Sequence, residues 1–164
     1  MKNTFKRSGA ALISLVLLLV LAVSAGAASS QNVGVKFWKE RSDKESMANS
    51  GIDPDRTATL TRQANGTYTL TLPVMQVSKL GVTGYLSGLT IGDVTYDGTL
   101  TGDFNKATAV LTIKNLPASV LTGSDVNKSV LVTCNIQMDL QVLGEINTSA
   151  RMCIWNQKLF FTKA

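Results

Sequence analysis

The chain has 164 residues, enough for one domain, and its 16 Lys+Arg against 11 Asp+Glu are scattered singly rather than in the runs that grip nucleic-acid phosphates, so nucleic acid is excluded as a partner. It contains no histidine, which removes Ser-His-Asp and Cys-His catalysis and most zinc and non-haem iron sites. An enzyme is not expected.

The N-terminus has the three parts of a secretory signal peptide. Lys2, Lys6 and Arg7 precede an apolar run over residues 9–23, and the small residues Ser24-Ala25-Gly26-Ala27-Ala28 follow. The apolar run is short of the ~20 residues that a membrane span needs. The expectation is a signal peptide over 1–27 and one domain over 28–164, secreted or at the cell surface, with no membrane insertion once the leader is removed. Removal of the three leader cations lowers the formal charge from +5 to about +2.

Residues 33–38 (VGVKFW) read as a first strand and 39–44 as a charged connector. Residues 46–51 (SMANSG) are too polar and Gly-broken for a long helix, and too rich in small residues for a strand; a short helical turn fits. Asp53-Pro54-Asp55 suits a turn. In 57–62 and 67–72, Ala58 and Leu60, then Tyr68, Leu70 and Leu72, alternate with threonines, and Asn65-Gly66 between them is a strong hairpin signal. Pro73 suits an edge or a bulge.

Further strands are expected over 81–91, over 94–100 and through Ala107, Ala109, Leu111 and Ile113. Another is expected from Val130 to Val142, where Val132, Cys134, Ile136, Met138 and Leu140 share one parity, and a last one over 149–156 after a turn at Leu143-Gly144. About eight strands at these spacings predict an all-β antiparallel β-sandwich with one short helical turn.

The aspartates sit where turn residues belong, without the alternating spacing of a calcium loop. Met138 and Met152 fall on apolar strand faces, whereas Met47 lies where no core face is evident. Export permits a Cys134–Cys153 disulfide, and a tight turn at Leu143-Gly144 would set the two cysteines opposite each other. The parity of Ala150, Met152 and Ile154 instead turns Cys153 to the other side with Arg151 and Trp155. The two readings exclude each other unless a bulge intervenes, and two buried free thiols are the alternative.

The order of an aromatic first strand (35–38), the Ser46-Met47-Ala48-Asn49 turn, Thr57-Ala58-Thr59-Leu60, Gly66-Thr67-Tyr68-Thr69-Leu70-Thr71-Leu72 and Gly84-Tyr85-Leu86 resembles a NEAT (near-iron-transporter) domain, the immunoglobulin-like β-sandwich of Gram-positive surface proteins. The resemblance implies haem or porphyrin binding in a groove between the Ser46-Met47 turn and the last hairpin, with Ser46 holding a propionate and Met47 covering one haem face. Many haem-binding members also carry a Tyr-x-x-x-Tyr pair on the final strand, whose first Tyr ligates iron. Here residues 146–150 read INTSA. A thioether is an acceptable iron ligand, so the expected metal ligands are Met47 or Met152, with Arg151 available to pair a propionate. The alternative is a cofactor-free protein-binding or adhesive β-sandwich, whose partner would be a haem-carrying protein or a matrix protein.

Overall fold

The threonine-rich alternations become strands because each puts its branched and apolar side chains on one pleated face, the arrangement that a half-buried sheet requires. In the computed structural model, which describes residues 28–79, 81–138 and 144–157, nine strands form. They are β1 (Ser29–Lys39), β2 (Ala58–Arg62), β3 (Tyr68–Pro73), β4 (Val77–Lys79), β5 (Val82–Ile91), β6 (Val94–Thr101), β7 (Val110–Leu116), β8 (Val130–Met138) and β9 (Glu145–Asn156). The expected signal peptide at 1–27, and Leu140, Val142 and Leu143, lie outside the described residues.

All pairings are antiparallel. Because β5 pairs with β8 as well as with β6, the order β5-β6-β7-β3-β2-β1-β9-β8 closes on itself. The expected sandwich is therefore one continuous sheet of eight strands wrapped around its core. Strand β4 is an appendage on the edge of β5 that β6 also uses: β4 takes Val82–Gly84 and β6 takes Gly88–Ile91. The register with β8 shifts between Leu86 and Gly88, a bulge that separates the two halves of β5.

Inside the ring lie Val33, Phe37, Leu60, Leu70, Leu72, Leu89, Leu111, Ile113, Leu116, Met152 and Ile154, all at most 1% exposed. Burying a side chain of this size stabilises the fold by about 1.5–3 kcal/mol relative to leaving it in water. The hairpin turn forms as expected, with Gly66 at φ 82. Strand β7 starts three residues later than its alternation suggested. Ala107 instead takes a left-handed conformation (φ 51) that ends a 3-10 helix over Phe104–Lys106. Pro73 pairs with Val110 of β7 but lies beyond Thr71, the last residue of β3 that β2 reaches, so its missing N–H costs that pair no bond.

The disulfide expectation is corrected. Both cysteines are free and buried. Cys134 faces Thr148 across the β8–β9 pair, while Cys153 sits opposite Lys36 of β1. Register thus separates the two along β9 as well as by face. The Cys153 thiol donates to the Asp125 carbonyl, 3.5 Å away, and Cys134 packs in the main core.

Candidate functional site

The polar segment after β1 becomes a 3-10 helix over Met47–Gly51. Ser46 begins it: its backbone is extended, and its Oγ accepts from the Ala48 N–H at 3.3 Å, the usual service of a serine at a helix start. Asn49 fixes its orientation. The Asn49 carbonyl Oδ1 accepts from Phe37 N–H at 2.8 Å, and its Nδ2 donates to Phe37 O at 2.7 Å, so one side chain clamps both backbone groups of a core residue of β1. The ends are tied as well. Ser46 N–H donates to Phe37 O, Met75 N–H to Gly51 O and Asp53 N–H to Pro73 O, all at 3.0–3.1 Å. The turn is a short lid of small residues held on rigid strands.

Beneath and beside it the ring does not fill. A cleft of about 300 Å³ is lined by Met47, Ala48 and Gly51 of the turn, Val77 of β4, Val82, Gly84, Tyr85 and Leu86 of β5, Ile136 and Met138 of β8, and Ile146 and Thr148 of β9. This size and predominantly apolar lining suit a small-molecule site. The cleft exists because the parities that build the core run on past it. Ile136 and Met138 share the face of Val132 and Cys134, and Ile146 and Thr148 share the face of Ala150, Met152 and Ile154. The inner members are fully buried, whereas the outer ones run on into the cleft.

Gly84 opens the floor. A β-carbon there would lie 2.7 Å from the Met138 sulfur and 3.0 Å from the Gln137 carbonyl oxygen, so the absence of a side chain lets the thioether rest against β5. The Tyr85 ring packs against Phe104, with centroids 5.2 Å apart. Among the described residues no aspartate, glutamate, lysine or arginine lines the cleft. Among the described residues no cluster of three or more His, Cys, Asp or Glu could hold a metal ion.

The structure brings only some of the expected site residues together. Met47 lines the cleft and is 59% exposed. Ser46, 7% exposed, is next to it as the cap of the turn. Met152 is 0% exposed in the core, with Phe37 and Val130 as its strand partners, and does not line the cleft, because the β9 face that it occupies is already covered at that height. Arg151 belongs to the other face of β9. Its guanidinium donates to the Lys39 and Ser42 carbonyl oxygens at 3.1 and 2.9 Å and to Asp43 Oδ1 at 2.8 Å, which fastens the charged connector. Met138 is the residue that the sequence assigned to packing and that the cleft claims. The sequence carried no signal of this, because the alternation placed Met138 in mid-strand on the same face as Val132 and Cys134.

No family model and no curated protein matches the chain. Solved structures do match, and two of them each cover 80% of this chain. One is the NEAT5 domain of IsdX2, a hemophore of B. anthracis, in complex with haem, at 11% identity with 99% of that chain covered and a TM-score of 0.52. The other is a point mutant of the same domain, also in complex with haem, at 11% identity with 98% covered and a TM-score of 0.51. At this identity the likeness establishes the fold: the chain has the architecture of a NEAT domain.

Proposed function

We propose that the chain is an exported, non-enzymatic binding module that takes haem or a related porphyrin into the cleft between the 47–51 turn and the β8–β9 hairpin. The observation that carries this reading is the apolar cleft itself, at the place where the family resemblance puts a ligand groove, in a chain whose solved neighbours of the same fold hold haem. The three-part N-terminal pattern supports export.

The lining fits a flat apolar macrocycle. It offers aliphatic walls from Val77, Val82, Leu86, Ile136 and Ile146, and two sulfurs, from Met47 and Met138. Residues 146–150 supply no phenol, and the ring of Tyr85 in the lining packs against Phe104, so iron would be met by thioethers, a ligand type that haem proteins use. Met47 keeps its expected role, and Met138 takes the one that Met152 cannot fill from the core. Ser46 keeps a hydroxyl proton to donate to a carboxylate at the turn, since its Oγ serves as acceptor for the Ala48 N–H. The extracellular source of such a ligand would be free haem or a haem-carrying protein.

Titrating the mature chain with hemin while following the Soret band tests this. A saturable shift is expected, with its position altered in the Met47→Leu/Met138→Leu double variant. Absence of a saturable shift would overturn the reading.

A further inference from the structure

The polarity of the cleft bears on which oxidation state it takes. The iron–porphyrin core carries one net positive charge when ferric and none when ferrous. A charge moved into apolar surroundings without a partner is strongly penalised. Among the described residues the cleft lining holds no carboxylate to balance it, and its polar side chains are the hydroxyls of Tyr85, whose ring packs against Phe104, and Thr148. The donors point the same way. Thioether sulfur is soft and uncharged, and axial methionine raises the potential of haem iron.

Resting on the porphyrin-binding reading, we infer that this cleft discriminates by charge at the macrocycle centre, taking ferrous haem and metal-free porphyrin in preference to ferric haem. Met47 and Met138 are the specificity-determining residues for the metal. Aliphatic neighbours such as Ile136 and Ile146 set the low polarity. Gly84 contributes by leaving room for the Met138 sulfur on the cleft floor.

The test compares three probes on the exported chain: ferrous haem under dithionite and argon, ferric hemin, and metal-free protoporphyrin IX. Ferrous haem should bind at least about tenfold tighter than ferric, which a potentiometric titration reads as an upward shift of about 59 mV or more in the potential of the bound haem. The Met47→Leu/Met138→Leu double variant conserves side-chain volume. It should lose most of that preference while binding protoporphyrin IX as the unmodified chain does. Equal affinity for ferric and ferrous haem would overturn the inference and leave porphyrin binding standing. A double variant that keeps the full preference would overturn the role of the thioethers. Failure of all three probes to bind would overturn both the inference and the reading beneath it.

Discussion

At the scale of single residues, the same face of one strand serves packing and site, and depth along the strand decides between them. Cys134 is on the packing side. Its burial pushes the thiol from the ordinary value of 9.0 up to about 12. The folded chain therefore keeps a proton that the unfolded chain loses between those values. The resulting stabilisation is complete below pH 9 and is lost as pH rises towards 12. Urea unfolding at about pH 7 and about pH 10.5 should show this as a fall in stability that the Cys134→Ala variant shows to a smaller extent. That variant costs about 0.5–3 kcal/mol at neutral pH, as core substitutions do. Met138, two turns of the pleat further on, is the contrasting case, since the same parity gives it a cleft instead of a core. Parity was readable from the chain; where the core ends was not, because that depends on how far β5, β8 and β9 run past the 47–51 turn.

At the scale of elements, the β2–β3 hairpin was legible almost to the residue, since Asn65-Gly66 and the Thr alternation carry their own geometry. The turn at 46–51 was legible as a turn but not as a lid, because its placement comes from long-range bonds between Asn49 and Phe37. Strand β4 was invisible: three residues, Val77–Lys79, are too few to show a period. The final strand was read four residues short, because Glu145, Asn147 and Thr148 carry no strand-like alternation of polarity. Asn49 gives the element-scale prediction. Asn49→Ala removes both bonds to Phe37; the Ser46 N–H still serves the Phe37 carbonyl, but the Phe37 N–H in a core strand loses its partner, at a cost of about 1–3 kcal/mol. Chemical denaturation should read that loss, and hemin affinity should fall with it, while the far-UV circular dichroism of the strands stays unchanged.

At the scale of the whole molecule, closure of the sheet through the β5–β8 pair removes the free edges that an open sandwich would expose. Strand β4 is outside that closure, bonded to β5 alone. Native-state hydrogen exchange should therefore show two classes. Amides of β1 and β9, which pair on both sides or deep in the ring, should exchange only with global unfolding, and those of 77–79 should exchange by local fraying that is insensitive to denaturant. Equal protection of the two groups would mean that β4 is part of the cooperative ring.

The clamp between Asn49 and Phe37 also has a meaning for fit. Three cleft-forming strands, β5, β8 and β9, belong to a closed sheet whose register cannot slip without breaking every neighbouring pair. The five-residue turn is tied by a handful of bonds. The cleft therefore has walls of two kinds, one fixed by the ring and one held by those few bonds, so a ligand of the proposed kind would find its adaptable side at the turn, whatever the stability of the barrel behind it.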